Sequence, residues 1–335
     1  MLGSLVESLD EVLVKRKQKS PTVSIVGLGM VGTPVKKYLE QYKGYQRGFD
    51  LFCFDADPAK ECRDDISRAE VVFVCVPTPL RKDGSCDISI VESVVAQCAA
   101  QSPPPIVVIK STVVPGTCEM LARKYRVAIL FNPEFLTEAN AWHNYLHPDR
   151  QIIGATDNAK MYVGMVQTLL PDPRTEPGRS LIWQDFSATE AELIKCLSNV
   201  SGYMKVVSSN IHADLCEAIN ARYERVRSGI TSDRRIGSAW SDIHHGAYRG
   251  AGGFCFPKDA NALIITAKDA LAKIPRGNHL YHCLAKGIAV WEAMRDYNRE
   301  LLASQGLTEE DVSRHDAELA AKIETFTGRE RCKKE

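Results

Sequence analysis

The sequence lacks several features by which classes of protein are recognised. Its 11 cysteines are scattered singly through 335 residues without a C-x-x-C pair, which excludes zinc-ribbon spacing and argues against the disulfide framework of a secreted domain. Lysine plus arginine equals aspartate plus glutamate, at 42 each, so the basic excess of a nucleic-acid-binding protein is absent. The longest uncharged stretch, residues 93–109, contains three consecutive prolines and cannot form a membrane span. We expect a cytoplasmic protein with reduced thiols that binds neither nucleic acid nor membrane.

The N-terminal segment does not have the pattern of an export signal, because acidic residues precede its basic cluster. Its apolar residues fall at helical spacing: Leu2, Leu5, Val6, Leu9 and Leu13. Residues 1–20 are therefore predicted to form a short amphipathic helix followed by a basic connector. The whole chain is 44% hydrophobic, and its length is enough for about two domains.

A glycine-rich turn follows the first apolar run. Residues 22–26 read as a short buried strand, and Gly27-Leu28-Gly29-Met30-Val31-Gly32 follows at once, before a pattern typical of a helix. This is G-x-G-x-x-G between a strand and a helix, the context in which it binds a dinucleotide. The first glycine makes the tight turn, the second lets a pyrophosphate approach the backbone, and the third lets helix and strand pack closely.

An aspartate ends the second predicted strand, residues 50–54. Asp55 comes 23 residues after Gly32, close to the spacing of about 20 residues expected for the acid that binds the ribose hydroxyls of NAD. A carboxylate at this place repels a 2′-phosphate, so the sequence favours NAD over NADP. The alternative is that Asp55-Ala56-Asp57-Pro58 is only a turn.

Further short apolar runs predict strands at residues 71–76, 106–109, 127–131, 151–154 and 181–186. Three of them end in polar loops: Pro77-Thr78-Pro79, Lys110-Ser111-Thr112 and Asn132-Pro133-Glu134. Because ligands of open α/β sheets bind beyond the carboxyl ends of the strands, these loops are candidate walls of a site. The sequence predicts a Rossmann-like, doubly wound parallel sheet over residues 21–186.

The second half is predicted to be helical. No proline occurs between residues 178 and 256, and Ser187 with Glu190 forms a capping-box signature. Apolar residues then recur at steps of three and four from Leu193 to Ala218, which predicts one long central helix from residue 188 to about residue 225. We expect a helical domain over residues 187–304, a homodimer formed through the long helix, and a charged tail over residues 305–335.

Chemically useful side chains in this half have ordinary explanations as well. Lys195 and Asn199 lie four residues apart on the long helix, where a polar face is usually solvated. Cys255 precedes a helix start, where the helix dipole and a nearby lysine would stabilise a thiolate, but a single cysteine is more often a small buried apolar group. His244-His245 would suit a metal but more often belong to a plain loop, so no metal site is expected.

Taken together and in order, these segments resemble the UDP-glucose/GDP-mannose dehydrogenase family over roughly residues 22–300. The family oxidises the primary alcohol of a nucleotide sugar to a carboxylate with two NAD. The matching segments are the glycine-rich turn with Thr33-Pro34, Val76-Pro77-Thr78-Pro79, Lys110-Ser111-Thr112-Val113, Asn132-Pro133-Glu134-Phe135-Leu136-Thr137-Glu138, Pro148-Asp149-Arg150, Glu192-Leu193-Ile194-Lys195 with Asn199, Arg235-Ile236-Gly237, and Gly253-Phe254-Cys255-Phe256-Pro257-Lys258-Asp259.

The resemblance implies a role for each matching residue. Cys255 would be the nucleophile, Lys195 and Asn199 would hold the oxyanion, and Thr112, Glu134 and Asp259 would position water and move protons. Residues implied in NAD binding are Gly27, Gly29, Met30, Val31, Gly32, Asp55, Lys60, Thr78, Thr112 and Glu138. Residues implied in binding a UDP-glucose-like substrate are Phe135, Leu136, Lys195, Asn199, Arg235, Gly252 and Lys258. Arg235 would reach the substrate of a neighbouring subunit.

The sequence departs from the family pattern after Cys255. Only 80 residues follow, and they show no β-α-β pattern like that of the family's nucleotide-sugar-binding domain. We therefore expect another element to form the side of the substrate site that this domain provides in the family. The candidates are the tail, the loop at residues 243–249, a neighbouring subunit or a separate partner. Two other functions stay open: a non-catalytic NAD-binding protein used for assembly or regulation, and a dehydrogenase of a smaller alcohol.

Overall fold

A computed structural model describes residues 20–81, 83–137, 140–173, 182–313, 319 and 322. The chain divides into two compact units, the first formed by Met1–Thr78 and Ile88–Glu192, the second by Pro79–Asp87 and Leu193–Glu335. The predicted N-terminal helix and most of the predicted tail lie outside the described residues. The domain boundaries read from the sequence stay predictions.

The first unit contains a seven-stranded sheet. Its strands are β1 (Val23–Val26), β2 (Leu51–Phe54), β3 (Val71–Val74), β4 (Ile106–Ile109), β5 (Ile129–Phe131), β6 (Gln151–Ala155) and β7 (Ile182–Ser187). They lie in the order β2-β1-β3-β4-β5-β6-β7. The predicted doubly wound sheet is confirmed, although it is mostly rather than wholly parallel, and β3 and β5 are each two residues shorter than predicted.

One feature of the sheet was not predicted. β6 runs antiparallel to β5 and β7 runs parallel to β6, so the last two strands are reversed relative to the first five. The start of β6 at Gln151 therefore lies at the same edge as the carboxyl ends of β4 and β5. Short apolar runs gave no orientation, because a strand buried on both faces has the same pattern in either direction.

Helices of the first unit cover the sheet. They are α1 (Gly32–Tyr42), α2 (Ser89–Ala99), α3 (Thr117–Tyr125), α4 (Ala141–Leu146) and α5 (Val163–Thr168). The apolar face of α1, with Val35 and Leu39 fully buried, packs into the same core as Val23, Ile25 and Phe73 of the strands. The helical periodicity after the glycine-rich turn is therefore confirmed as the core-facing side of α1.

The second unit is built on the long helix α6 (Ala188–Ala218), 31 residues long. Its start is the predicted capping box, in which the Glu190 carboxylate accepts the backbone N–H of Ser187 at 2.8 Å and the Ser187 hydroxyl oxygen accepts the N–H of Glu190 at 3.3 Å. The predicted extension to residue 225 is wrong. Asn220 adopts a left-handed conformation with φ 59°, and the N–H of Ala221 bonds back to the carbonyl of Cys216, which closes the helix end.

Shorter elements complete the described part of the second unit. They are α7 (Tyr223–Thr231), β8 (His244–His245), β9 (Tyr248–Arg249), α8 (Phe256–Ala272), α9 (His279–Ala303) and α10 (Glu309–Val312). The loop that contains the two histidines is an antiparallel hairpin of β8 and β9. Thr308 and Asp311 form a capping box at α10, and Val312 packs with Tyr248, Leu302 and Leu307. The first part of the predicted tail is thus packed against this unit.

Candidate functional site

The glycine-rich turn joins β1 to α1, and two of its glycines are required by close packing. Gly27 has φ +91°, and an added Cβ would lie 2.6 Å from the carbonyl oxygen of Cys75. A Cβ on Gly32 would lie 1.8 Å from the carbonyl oxygen of Gly27. Neither position can hold a side chain without moving the backbone, so the tight turn and the close helix–strand contact predicted for them are confirmed.

Gly29 differs from these two glycines. A Cβ at Gly29 would meet no atom within 4 Å, so nothing in the protein requires a glycine there. At the start of α1, Val31 provides no side-chain hydrogen bond to the helix and the first turn holds no acidic residue. Bare backbone at the N-terminus of a helix suits a dinucleotide pyrophosphate. The residues present therefore fit NAD, with Met30 exposed beside them.

The Asp55 carboxylate lies beside the same turn. One oxygen, Oδ2, accepts the backbone N–H of Leu28 at 2.5 Å, and Oδ1 accepts the N–H of Asp57 at 2.8 Å. The acid that follows β2 is thus held against the glycine-rich turn, where an adenosine ribose would lie next to the pyrophosphate. Lys60 ends the short 3₁₀ turn Pro58–Lys60 and is exposed.

Polar residues of the predicted site also meet at the carboxyl ends of β3, β4 and β5. The Thr78 hydroxyl donates to the carbonyl of Thr112 at 2.8 Å and joins the loops after β3 and β4. Glu134, only 6% exposed, accepts the backbone N–H of Leu136 at 2.7 Å. The Arg150 guanidinium lies 4.0 Å from the centre of the Phe135 ring. Leu136 packs against the core, and Glu138 lies outside the described residues.

A buried lysine at this edge was missed as an individual residue by the sequence analysis. Lys110 is 3% exposed, and its ammonium donates to Asn132 Oδ1 at 2.5 Å and to the Asn132 carbonyl at 3.2 Å. The amide of Asn132 donates in turn to the carbonyl of Ile152 at 2.8 Å. These bonds tie together the loops that contain Thr112 and Glu134. The available signal was a lysine directly after an uninterrupted apolar strand.

In the second unit, Cys255 precedes the first residue of α8. It is half-buried, and its carbonyl accepts the N–H of Asp259 in the first helical turn at 2.8 Å. The ten described cysteines are all thiols. Among them only Cys255 and Cys283 are not buried. The thiol that the resemblance singles out is therefore accessible and lies at a helix N-terminus, where the dipole favours a thiolate.

Asp259 joins two other predicted residues. It is 2% exposed, and its Oδ2 accepts the amide N–H of Asn199 at 2.5 Å while Oδ1 accepts the ammonium of Lys258 at 2.7 Å. Burial lowers the pKa of Lys258, but the charge of Asp259 and its hydrogen bond outweigh burial, so the net shift of the Lys258 pKa is upward. Lys195, one turn before Asn199 on α6, is 3% exposed. Lys195 is therefore buried, whereas a lysine on the polar face of a helix is usually solvated.

Two further residues predicted to bind substrate have other contacts. Arg235 is exposed and forms an ion pair with Asp233 at 2.6 Å. Gly252 is buried, and a Cβ there would lie 1.9 Å from the hydroxyl oxygen of Tyr248. Within the described residues, no cluster of three or more potential metal ligands occurs, and no described helix has the length and apolar character needed to cross a membrane.

Comparison with known proteins identifies both units. The sequence model described as "UDP-glucose/GDP-mannose dehydrogenase family, NAD binding domain" matches residues 59–169, and the family's central-domain model matches residues 189–276. UDP-glucose 6-dehydrogenase of Pseudomonas aeruginosa is 38% identical over 217 residues, which cover 61% of this chain and 46% of that protein. A putative UDP-glucose 6-dehydrogenase of Bacillus subtilis is 31% identical over 268 residues, covering 75% of this chain and 60% of that protein.

A solved structure supports the same assignment. UDP-glucose dehydrogenase from the archaeon Pyrobaculum islandicum superposes with a TM-score of 0.65 at 25% identity, over 84% of this chain and 68% of that one. The fold and the predicted cofactor, NAD, are confirmed by these comparisons. The matched region spans about half the length of the curated relatives named here.

Proposed function

This chain belongs to the UDP-glucose/GDP-mannose dehydrogenase family, and we propose that it oxidises the primary alcohol of a UDP-glucose-like nucleotide sugar to a carboxylate. The reaction would proceed in two hydride transfers through a thiohemiacetal and a thioester on Cys255. One observation supports this most directly. Asn199 and Lys258 converge on buried Asp259, one helical turn after an accessible thiol at a helix N-terminus.

The proposed reaction balances as follows. The alcohol carbon loses a hydride and its oxygen loses a proton, which gives an aldehyde. The Cys255 thiolate adds to the aldehyde carbon, and the carbonyl oxygen becomes the oxyanion of a thiohemiacetal. Loss of a second hydride from the same carbon gives a thioester, and water then cleaves the carbon–sulfur bond to release the carboxylate and the thiol. NAD, when bound, accepts the hydride in each oxidation.

The chain's own residues would serve these steps in different ways. A buried Lys195 ammonium would stabilise the oxyanion, where a fixed charge removed from water acts strongly. Asn199 would share this task, and its bond to Asp259 fixes the orientation of its amide. Asp259, Thr112 and Glu134 would position water and move protons.

We also propose a homodimer formed through the long helix. Three apolar residues one turn apart near the end of α6 are exposed: Ile211 at 42%, Leu215 at 60% and Ile219 at 65%. Met204, earlier in the same stripe, packs instead within its own unit. A two-fold pairing of identical helices would remove the exposed residues from water. A separate partner that completes the substrate site stays a prediction.

The proposed function is tested by NADH absorbance with a panel of nucleotide sugars. We expect turnover with the wild-type chain, an arrest after the first oxidation or a trapped adduct in Cys255→Ser, and unchanged activity in Cys283→Ser, the other accessible thiol among the described cysteines. Lys195→Ala should slow turnover about 10²-fold, as loss of oxyanion stabilisation does. Full activity in Cys255→Ser would contradict the thiohemiacetal route. Tight NAD binding without any turnover would favour the non-catalytic NAD-binding protein.

A further inference from the structure

The segment that leads from β9 to Cys255 has few side chains to hold it in place. We call residues 249–255 the Cys255 loop. Three of its residues are glycines, and Gly250 and Gly253 have φ of +113° and +80°. Glycine gains the most freedom when a chain is released, so the conformation of this loop must be fixed by contacts from other elements.

Two side-chain amides supply such contacts. Asn298, fully buried on α9, accepts the backbone N–H of Ala251 at Oδ1 (2.8 Å) and donates from Nδ2 to the carbonyl of Ala251 (3.1 Å). Gln305 accepts the N–H of Arg249 at Oε1 (2.8 Å) and donates from Nε2 to the carbonyl of Arg249 (2.9 Å). Each amide thus pairs with both backbone groups of one residue, as a neighbouring β-strand would.

A third contact continues the series. The N–H of Gly253 donates to the carbonyl of Val312 at 2.9 Å. Alternate residues of the loop, 249, 251 and 253, are therefore held from outside, and Cys255 is the next residue in this alternation. All three holding residues come after residue 276, where the match to the central-domain model ends.

The elements that present these groups are themselves anchored. α9 packs against α8, the helix that begins after Cys255. Leu302, Leu307 and Val312 form a buried cluster with Tyr248 of β9. Asn298 and Gln305 are therefore held in place by packed elements, and their amide hydrogen bonds fix the loop relative to those elements.

We propose that Asn298 and Gln305 are positioning residues that hold Cys255 in place through the backbone of the Cys255 loop. The expected loss of activity rests on the proposed function, in which Cys255 is the nucleophile. The expected change in accessibility of the Cys255 thiol does not depend on that function. Losing either amide would remove these partners from the backbone of Arg249 or Ala251 and loosen the loop that leads to Cys255.

The test compares Asn298→Ala, Gln305→Ala and Gln305→Glu in the full chain with Glu300→Gln, an exposed control on the same helix. Alkylation by iodoacetamide is followed at each cysteine by mass spectrometry, and exposed Cys283 provides the internal reference rate. We expect the rate at Cys255 relative to Cys283 to rise about tenfold or more in both alanine variants, because each variant loses two hydrogen bonds to the loop and losing even one shifts a local opening equilibrium by about that factor. Gln305→Glu keeps the acceptor for Arg249 and should rise less.

Kinetics with the nucleotide sugar give the second readout. In the alanine variants kcat should fall about 10²-fold while NAD affinity is unchanged, as expected for a nucleophile displaced by about 1 Å. If Asn298→Ala does not fold, the two Gln305 variants decide. Alkylation ratios equal to wild type in every folded variant would overturn the proposal. A changed ratio in a chain that oxidises no nucleotide sugar would support the positioning role and refute the proposed function instead.

Discussion

Replacing Glu192 by glutamine should change how the stability of this protein depends on pH. Glu192 lies in the first turns of α6, is fully buried, and caps the N-terminus of α3. Its Oε2 accepts the N–H of Gly116 at 2.5 Å and its Oε1 accepts the N–H of Cys118 at 2.7 Å. Burial raises the pKa of Glu192 from 4.5 to about 7, although these hydrogen bonds favour the ionised form.

The sign and size of the effect follow from linkage. A carboxyl with a raised pKa stabilises the folded state below its unfolded pKa of 4.5, and this contribution is lost as pH rises through the folded pKa of about 7. The difference of about 2.5 pKa units corresponds to about 3 kcal/mol, at 1.36 kcal/mol per unit. Glutamine stays uncharged like the protonated acid, but its NH2 group cannot accept either backbone N–H, a loss of stability that does not depend on pH. Relative to wild type, the free energy of unfolding of Glu192→Gln should therefore rise by up to about 3 kcal/mol between pH 4.5 and pH 8.5.

Urea denaturation followed by circular dichroism from pH 4.5 to 8.5 measures this difference. Glu190→Gln is a matched control two residues away. Hydrogen bonds from Ser187 lower the pKa of exposed Glu190, so its replacement should cost stability above the unfolded pKa and the difference should have the opposite sign. If Glu192→Gln and wild type keep parallel pH profiles, the raised pKa of Glu192 is refuted.

The remaining predictions concern the cofactor and the assembly. Gly29→Ala should leave the thermal midpoint unchanged but weaken NAD binding about tenfold or more, because its methyl group would fill the open space that suits the pyrophosphate. Gly32→Ala, in contrast, should lower the thermal midpoint. Equal effects of the two substitutions on the thermal midpoint would contradict the packing described for Gly32. In calorimetry, NAD should bind more tightly than NADP, and Asp55→Ala should reduce the difference between the two affinities. Equal affinities of the wild-type chain for NAD and NADP would refute the role assigned to Asp55. Ile211→Asp with Leu215→Asp should convert a dimer to a folded monomer in analytical ultracentrifugation, and a monomeric wild type would exclude the dimer.

Local patterns in the sequence were sufficient for the parts of the fold that depend on neighbouring residues. The capping box of Ser187 and Glu190 joins residues three apart, and the glycine-rich turn fits within six residues. The capping box depends on N–H groups paired within the motif, and the glycine-rich turn depends on the missing Cβ of its own glycines. Both could therefore be predicted from the sequence alone.

Contacts between distant residues could not be predicted in this way. Lys110 binds Asn132 across 22 positions, and Asn298 binds Ala251 across 47. The sequence does not distinguish a buried asparagine or lysine from a solvated one. Only the fold determines which groups the side chain binds. The reading of Lys195 and Asn199 as a solvated face failed for the same reason, since Asp259 approaches from another helix.

The long helix shows how periodicity can be right while burial differs along one stripe. Val200 and Val207 are buried, yet Ile211 and Leu215 of the same stripe are exposed. With 31 residues, α6 is about 46 Å long at 1.5 Å per residue. The buried residues of its stripe pack in one cluster with both α8 and α9, which leaves Ile211 and Leu215 exposed. The apolar pattern therefore extends further along α6 than the packing within the described chain.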